Sequence, residues 1–454
     1  MEERDQQEPW DQLRRLVQQH DAQELAGFLE ELSPGEAVRA VLRLDPAHQT
    51  QLLLTLAPQD AAELIEEMPH AEAAGLVEHL PAETAAAIVQ QLPSAEQADL
   101  VGELPMSEAD AILANMEVPQ ANQLRSLASY HNDVAGGIMV TELLSYPSEF
   151  TVDDVIGDLR ANADRYARFN VQYVFVTTNG QRLVGVLRLR DLLLSPRNVM
   201  VKQIMQQDLL SFPDDATLDE LREFFDSHNY FGVPITDRRG CLLGVVHRSA
   251  VEEALGQRAE SDYRRSQGIL YEELRSMPAL VRSRRRLGWL TVNILLNVVA
   301  ASVIAFFQDT LAQVIALAVF LPIISDMSGC TGNQAVAVSM RELALGVVKP
   351  FELAHVWLKE ITVGILNGLA LGLLIATVAV LWKGNPYLGL VIGTAMATNT
   401  IIAVSLGGLL PLAMKRMGID PALAAGPVLT TITDMCGFFL VLGIATLMLP
   451  FLVP

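Results

Sequence analysis

Asp434 carries the clearest chemical signal in this chain. It lies within residues 427–446, a stretch that is otherwise uncharged and long enough to cross a bilayer. A carboxylate at membrane depth is costly unless it meets water, a cation or a partner. No Lys or Arg follows Arg416 in the sequence, so no neighbouring cation offsets the charge. An acid in this setting indicates a cation pathway through the membrane, with a purely structural buried acid as the alternative.

A second polar stretch interrupts an earlier apolar run. Residues 325–334 read Ser-Asp-Met-Ser-Gly-Cys-Thr-Gly-Asn-Gln and closely follow Pro322. We expect irregular backbone here, and irregular backbone at membrane depth persists only where it lines water or is buried in protein. The stretch therefore predicts pore lining, with close helix packing as the alternative. Asp326 is a second acid at this depth, and the pattern leaves open whether it lies near the pore or pairs at an interface.

Five helices are needed to place these residues in a membrane. Apolar runs long enough to span it occupy residues 287–307, 311–340, 355–382, 387–414 and 422–451. The Arg-rich segment 282–286 precedes the first run and should stay in the cytoplasm by the positive-inside rule. Five crossings then place every later basic residue except Lys383 inside, and the C-terminus outside. We therefore predict an all-α bundle in the plasma (inner) membrane, with a cytoplasmic N-terminus.

The charge of the chain divides it into two halves. Residues 287–454 hold six Lys or Arg and seven Asp or Glu, a net charge of −1, so −20 of the total −21 falls on residues 1–286. An acidic soluble half argues against nucleic acid as a partner and suits a domain that attracts divalent cations. Simple solubility is the alternative reason for the acids. The start of the sequence lacks the pattern of a signal peptide, so the soluble half is expected in the cytoplasm.

The first 132 residues contain an internal repeat. Prolines recur every 11 or 12 residues, at Pro34, Pro46, Pro58, Pro69, Pro81, Pro93 and Pro105. Proline punctuates helices, which leaves about eight helical residues in each unit. One such unit cannot bury its two or three apolar positions alone, whereas stacked units can. We therefore predict an α-superhelical N domain over residues 1–132.

Residues 133–257 show the same order of elements twice. Each copy has a capped helix, beginning near Thr151 or Thr217, and then a hairpin whose turn ends in Gly180 or Gly240. This β-α-β-β-α order resembles a tandem CBS-domain pair, an α/β regulatory module. The polar segment 258–286 that follows predicts one linking helix. Residues 287–454 form the transmembrane domain.

The combination of these parts resembles the MgtE family of magnesium channels and transporters. The specific motifs are Ala-Gly-Gly-Ile-Met at residues 135–139, Thr-Gly-Asn-Gln at 331–334, and Gly-Ile-Asp-Pro-Ala-Leu at 418–423 running on to Asp434. The resemblance covers nearly the whole chain. It implies a homodimer in the lipid bilayer with the ion path along the subunit interface. It also implies a cytoplasmic half that closes the pore when intracellular Mg2+ is high.

Mg2+ suits the oxygen-rich pore residues of this sequence. The ion holds its first-shell waters tightly and prefers oxygen ligands. A pair of Asp434 side chains, one from each subunit, could bind hydrated Mg2+ without stripping its water. Further oxygens are expected from Asn333, Thr430 and backbone carbonyls around Gly426, with a cross-helix hydrogen bond as the alternative role of Asn333.

The resemblance also implies regulatory carboxylates shared between domains. They would repel one another at low Mg2+ and be bridged by ions at high Mg2+, which would shift the population to the closed form. For each of them a solvated surface acid is the alternative. The candidates are Asp214, Glu253, Asp262 and Asp420, with Glu96 and Asp99 of the repeat facing them.

Two departures from the family pattern bear on function. Relatives carry a paired acid after the second CBS strand, where residues 247–250 of this chain read His-Arg-Ser-Ala. A lost carboxylate and an added cation predict weaker or altered closure by internal Mg2+. In the membrane stretch, the soft side chains of Met327 and Cys330 leave Co2+ or Mn2+ as an alternative cargo, unless both residues simply pack against neighbours.

An adenine nucleotide is a further expected ligand of the CBS pair. In such pairs an Asp after the last strand takes the ribose, and Asp191 holds this place in the first copy. The second copy has Ala250 there, so the sequence supports one nucleotide site at most. Capping of the following helix is the alternative role of Asp191.

No pattern in the sequence predicts an enzyme. The histidines are scattered, and we find no Ser/His/Asp order or metal-ligand spacing among them. The predicted function is a Mg2+-selective channel or transporter for influx, gated by intracellular Mg2+. The competing hypotheses are a transporter in which Asp434 relays protons or Na+, and a membrane-bound nucleotide sensor.

Overall fold

The computed structural model describes residues 8–167, 169, 171–178, 181–270, 273 and 277–453. Its internal contacts divide the chain into two units, residues 1–258 and residues 259–454. The first unit holds the helical repeat and two small sheets, and the second holds the long apolar helices. The predicted multidomain fold class is confirmed.

The described part of the repeat, from residue 8 onwards, forms ten short helices. Seven of them begin at a repeat proline, which occupies a first-turn position in α3–α5 and the N-cap position in α6–α9. Proline is tolerated there because the first-turn N–H has no partner within the helix. The bounds are α1 Pro9–Gln19, α2 Ala22–Glu31, α3 Pro34–Leu42, α4 Pro46–Thr55, α5 Pro58–Glu66, α6 His70–Val77, α7 Ala82–Val89, α8 Ser94–Glu103, α9 Met106–Ala114 and α10 Val118–Leu127.

Helices two places apart in the repeat pack on each other. Such pairs include α5 with α7, α6 with α8, and α7 with α9. Each helix contributes one to four buried apolar residues, such as Ile88 and Val89 of α7, to one continuous core. No single helix buries these residues alone, as the repeat argument requires.

Two three-stranded sheets follow the repeat, and they have the same topology. In each, the first strand pairs in parallel with the second, and the second pairs antiparallel with the third. Capping boxes at Thr151 and Thr217 start the equivalent helices, as predicted. Gly240 ends the second hairpin turn at φ 78°, whereas Gly180 lies outside the described residues. The bounds are α11 Ala135–Ile138, β1 Leu144–Pro147, α12 Val152–Ala161, α13 Ala163–Tyr166, β2 Tyr173–Thr178, β3 Arg182–Arg188, α14 Leu189–Leu194, α15 Val201–Ile204, β4 Phe212–Pro213, α16 Leu218–Ser227, β5 Gly232–Thr236 and β6 Leu242–His247.

The prediction of one linking helix over residues 258–286 was wrong. Helix α17 begins earlier and covers Arg248–Ser266. It stops at Gly268, whose φ of 76° is left-handed and whose N–H bonds back to the carbonyl of Arg265. A new helix starts after Pro278, so the Arg-rich segment 282–286 belongs to the first apolar helix.

Five segments of the described chain are long and apolar enough to cross a membrane. This number was predicted, although the first begins eight residues earlier than expected. Short helices α19 Gln308–Gln313 and α24 Leu449–Leu452 flank the longer ones. The long helices are α18 Ala279–Phe306, α20 Leu321–Ala344 with a 3-10 turn at Ile315–Val319 before it, α21 Leu353–Lys383, α22 Pro386–Arg416 and α23 Pro421–Leu447.

The predicted break at residues 325–334 is not present. Residues 321–344 form one continuous α-helix, α20. Pro322 does not interrupt it, because it stands in the first turn, where a missing N–H costs no helical bond. The irregular backbone lies just before, in the 3-10 turn. The argument for pore lining from irregular backbone therefore fails, and the polar character of the stretch has to be judged from its exposed face.

Glycines bring α21 and α22 into close contact. A Cβ at Gly368 would lie 2.7 Å from the carbonyl oxygen of Ala397, and one at Gly372 would lie 2.7 Å from that of Gly393. Close approach of this kind lets helices associate in lipid, where the hydrophobic effect gives no advantage to helix contact. Helices α20 and α23 in turn pack on α22 of this pair.

Candidate functional site

Asp434 lies where α20 and α23 run antiparallel to each other. The Ser325 hydroxyl of α20 donates a hydrogen bond of 2.5 Å to Asp434 Oδ1. Two turns away, a Cβ at Gly426 would lie 4.0 Å from Asn333 Oδ1, which fixes the opposite direction of the two helices. The side chain of Asp434 is 7% exposed. The second carboxylate oxygen, Oδ2, makes no hydrogen bond to any described residue.

Asn399 of α22 holds the backbone beside Asp434. Its Nδ2 donates a 3.1 Å hydrogen bond to the carbonyl oxygen of Thr433, and the residue is fully buried. Gly437 makes room for this amide, since a Cβ there would lie 2.7 Å from Nδ2. Asn399 Oδ1 is buried without a partner among the described residues. Sequence reasoning missed Asn399. The feature of the sequence that could have identified it is an amide side chain within an apolar run.

Thr430 and Gly426 share a face of α23 with Asp434. The three residues are spaced by four, which places them one above another along the helix. Asn333 lies beside Gly426, eight residues or about 12 Å from the level of Asp434. The structure thus joins Asn333 to Gly426 and separates it from the carboxylate, so one ion cannot contact Asn333 and Asp434 directly in this chain.

Asp326, Cys330 and Asn333 form an exposed face of α20. All three side chains are exposed, and their spacing of four and three places them on one side of the helix. Asp326 follows Ser325 and therefore lies at the level of Asp434. This polar face is open in a single chain.

Asp420 forms an ion pair with an arginine side chain of the same chain. Its Oδ1 caps α23 by accepting from the Ala422 N–H at 2.9 Å, and its Oδ2 lies 3.2 Å from Arg265 Nη1 of α17. Asp262, three residues before Arg265, lies on the same side of α17. The family resemblance implied Asp262 and Asp420 as candidate ligands, but it did not identify Arg265 as the partner of Asp420.

Four carboxylates influence one another in the first unit. Burial raises the pKa of Glu96 to about 7, with further upward contributions from Asp99, Glu253 and Glu66. His70 opposes this rise, and its Nδ1 lies 3.9 Å from Glu96 Oε2. The structure therefore places Glu96, Asp99 and Glu253 near enough for their charges to interact, and adds Glu66 to them. We call these four acids the carboxylate cluster.

Burial affects the carboxyl groups of Asp99 and Glu66 in the same way as that of Glu96. Burial raises the pKa of both carboxyls, and Glu253 adds to the rise in each case. Like charges held close together in a partly buried place disfavour ionisation of all of them. Protons or cations are therefore the natural ligands of the carboxylate cluster.

Asp214 lies apart from the cluster and has its own partner. Its Oδ2 accepts a 2.6 Å hydrogen bond from the hydroxyl of Tyr130, at the end of the repeat. This bond raises the pKa of Tyr130 to about 12. The Tyr130 ring in turn packs on Gly136, where a Cβ would lie 2.5 Å away. Asp214 thus links the repeat to the sheet region.

His247 and Arg248 occupy different surroundings. His247 lines a cleft of about 870 Å3 together with Glu66, Glu142 and several glutamines, and burial lowers its pKa. Arg248 instead faces the C-terminal end of α16, where its guanidinium donates to the carbonyl oxygens of Phe225, His228 and Tyr230.

Asp191 lies in the first turn of α14 and does not cap it. The N-cap position belongs to Arg188, without a side-chain cap. Asp191 Oδ1 lies 3.4 Å from Arg190 Nε. A narrow cleft between the two sheets is lined by Tyr173, Phe175, Phe224 and Tyr230 among others, and Asp191 is not one of its lining residues.

Within the described ranges, no three His, Cys, Asp or Glu side chains form a preassembled metal site. The predicted metal ligands therefore do not build a closed cage in one chain. A Mg2+ ion at these carboxylates has to keep waters as ligands or draw oxygens from a second subunit.

Three family profiles match consecutive parts of the chain. The MgtE profile, described as a divalent cation transporter, matches residues 321–444. The profile of the MgtE intracellular N domain matches residues 32–133, and the CBS-domain profile matches residues 134–197 and 201–256.

Curated relatives match most of the chain. It is 31% identical over 335 residues to the magnesium transporter MgtE of Thermus thermophilus, which covers 72% of each protein. It is 29% identical over 334 residues to the magnesium transporter MgtE of Bacillus subtilis, which covers 74% of each. A crystal structure of the soluble part of a magnesium transporter shares the fold, at 22% identity and a TM-score of 0.50, covering 56% of this chain and 98% of that one.

Proposed function

Because the chain belongs to the MgtE family of magnesium transporters, we propose that it is a gated channel that carries Mg2+ inward past Asp434. One observation carries this proposal: a buried carboxylate at membrane depth has a free oxygen and forms no ion pair with any described residue. Such a group needs a cation or water to be stable. Hydrated Mg2+ supplies both.

We propose that the pathway forms between two copies of the chain. The apolar window of α18 is only 6% buried, and α20 presents the exposed polar face of Asp326, Cys330 and Asn333. A polar face at membrane depth is costly against lipid and suits a water-filled path or a partner subunit. Cross-linking of single cysteines placed on this face tests the dimer.

The orientation of the chain in the membrane is part of the same proposal. The Arg-rich segment 282–286 begins α18, and the positive-inside rule places it in the cytoplasm. Five crossings then put the C-terminus outside. Labelling of a C-terminal cysteine by a membrane-impermeant reagent in intact cells checks this arrangement.

We propose that the carboxylate cluster senses intracellular Mg2+. Ionised acids held close together repel, so the packed arrangement of Glu66, Glu96, Asp99 and Glu253 is favoured when a cation neutralises them. Binding that favours one arrangement shifts the population towards it. We assign the packed arrangement to the closed channel. The loss of the family's acid pair at residues 247–250 predicts weaker closure, and this stays a prediction.

The first test is Mg2+ uptake into proteoliposomes by wild type and by Asp434→Asn, with internal Mg2+ varied. We expect uptake to be lost in the variant, because an amide removes the charge that holds the ion. Wild-type uptake should fall as internal Mg2+ rises. Uptake by Asp434→Asn at the wild-type rate would contradict the pathway, and a wild-type rate independent of internal Mg2+ would contradict the gate alone.

A proton or Na+ relay at Asp434 is the second candidate. The 2.5 Å bond from Ser325 leaves one oxygen for exchange, which a relay also requires. A relay predicts that Mg2+ flux follows an imposed pH or Na+ gradient. A channel predicts flux that follows the Mg2+ gradient and the membrane potential. Parallel assays with Co2+ and Mn2+ decide whether either replaces Mg2+ as cargo.

An adenine nucleotide at the CBS pair is proposed as a second regulatory ligand. Asp191 does not cap its helix, so its carboxylate remains available once Arg190 moves aside. Calorimetric titration with ATP and AMP, for wild type and Asp191→Asn, tests the site. Equal binding by both proteins would remove Asp191 from it.

A further inference from the structure

The hydrogen bond between Ser325 and Asp434 gives the two oxygens of the Asp434 carboxylate different roles. Oδ1 accepts from the Ser325 hydroxyl, whereas Oδ2 bonds to no described residue. We propose that Ser325 is a specificity-determining residue, which restricts Asp434 to a one-oxygen contact and thereby favours hydrated Mg2+ over Ca2+. The inference rests on the proposed function, because it requires Asp434 to meet the ion.

The physical basis is the difference between the two ions. Mg2+ is small, demands octahedral geometry and keeps several waters, so one carboxylate oxygen reached directly or through water is enough. Ca2+ takes six to eight oxygens and commonly binds both oxygens of a carboxylate. A carboxylate with one oxygen held by a hydroxyl is a poorer bidentate ligand. The hydrogen bond from Ser325 therefore lowers the affinity of Asp434 for Ca2+ more than its affinity for Mg2+.

The surrounding contacts hold the backbone on both sides of the bond between Ser325 and Asp434. Ser325 lies on α20, which packs tightly on α22: a Cβ at Gly407 would lie 2.3 Å from the carbonyl oxygen of Gly332. Asn399 holds the carbonyl of Thr433 from the other side. The backbone and the side chain of Asp434 are thus fixed from two different helices.

The charge-assisted bond is strong enough to matter for selectivity. A hydrogen bond from a hydroxyl to a carboxylate is stronger than a hydrogen bond between two neutral groups. Hydrogen bonds to charged groups change an equilibrium constant by roughly ten-fold or more. A change of this size in Ca2+ affinity is readily measured.

The experiment compares Ser325→Ala with Ser325→Thr in the full-length protein. Thr keeps the hydroxyl and should preserve selectivity. Ser339→Ala is the matched control, because Ser339 lies on the same helix and its hydroxyl bonds to the carbonyl of Gly408 on α22. It also loses one bond between helices, but 14 residues or about 21 Å from Ser325. The readout is the Ca2+ concentration that halves Mg2+ uptake in proteoliposomes.

We expect this Ca2+ concentration to fall about ten-fold in Ser325→Ala and to stay near the wild-type value in Ser325→Thr and Ser339→Ala. Equal Ca2+ sensitivity of wild type and Ser325→Ala would overturn the inference, while the loss of uptake in Asp434→Asn would still support the pathway. Uptake by Asp434→Asn at the wild-type rate would remove the pathway and this inference together. A similar shift in Ser339→Ala would assign the effect to general loosening of α20 and also overturn it.

Discussion

Arg248 has a structural role in a segment where the family resemblance implies a pair of acids. It stands in the segment where the resemblance places a paired acid, and its guanidinium donates to three carbonyl oxygens at the C-terminal end of α16. A cation at that end also suits the helix dipole. The charge is not among those that act on Glu96 or Asp99. Closure should thus be weakened by the missing acid rather than by the added arginine.

Arg248→Ala should loosen residues 224–231 and leave Mg2+ closure unchanged. Two half-buried carbonyls and the exposed carbonyl of His228 lose a charged donor, which costs about 2 kcal/mol or more of local stability. Hydrogen–deuterium exchange of this segment in the full-length protein measures the effect. Arg238→Ala is the control, since the Arg238 side chain is 92% exposed. Unchanged exchange in Arg248→Ala would show that the three bonds do not stabilise the segment.

At the scale of elements, the membrane half depends on how closely its helices approach. Glycines of α21 face the α22 backbone, and Gly407 of α22 faces α20. Helix α20 carries Ser325 to Asp434 only because this packing sets its register against α23. The continuous helix through residues 325–334 then turns one set of polar side chains inward and leaves another exposed. Helix packing, rather than a broken backbone, therefore decides which polar residues meet Asp434.

Gly368→Val should destabilise the membrane half strongly. The new Cβ would lie 2.7 Å from the Ala397 carbonyl oxygen, which is too close for any real Cβ atom and cannot be relieved by a flexible side chain. We expect a loss of about 2 kcal/mol or more, in the range of overpacked cores. Thermal unfolding in detergent measures it, with Gly288→Val as the control because that position has open space. Equal unfolding temperatures for the two variants would contradict the close contact.

At the scale of the whole molecule, we propose two cation-dependent places in separate units of the chain. The carboxylate cluster belongs to the first unit and Asp434 to the second. Each holds acids that are stable only when neutralised or solvated, which is the property expected of a sensor and of a pathway. Because the cluster is partly buried, protons compete with Mg2+ there.

The packed cluster should be more stable at pH 6 than at pH 8 in the absence of divalent ions. The pKa of Glu96 in the folded protein is about 7, above the ordinary value of 4.5, so its protonated form is favoured by folding. Its stabilising contribution is therefore complete below pH 4.5 and is lost as the pH rises through about 7. Thermal unfolding of the full-length protein at both pH values measures this difference, and added Mg2+ should reduce it.

Glu96→Gln provides the decisive comparison for this pH effect. The amide does not titrate, so the variant should show a smaller difference between pH 6 and pH 8. Glu83→Gln, an exposed acid of α7, is the matched control and should behave like wild type. If Glu96→Gln retained the full pH dependence, the cluster would not be its source.

The sequence by itself determined the parts of this protein that depend on local patterns. The proline spacing placed the starts of the repeat helices, the doubled order of elements predicted both sheets, and the lengths of the apolar runs predicted five spans. It also singled out Asp434 as an acid within a long apolar run, because a single charge in such a run is visible without any partner.

Only the tertiary structure decided which residues meet. Ser325 reaches Asp434 across 109 positions of the sequence, and Glu66 joins the carboxylate cluster with Glu253. Such contacts depend on the register between packed helices, which no short pattern specifies. The two wrong expectations concern where helices begin and end: Pro322 is harmless because it falls in the first turn of α20, and the linking helix ends where Gly268 adopts a left-handed backbone. The partners of each residue are set by packing, whereas the presence of helices is set by local sequence.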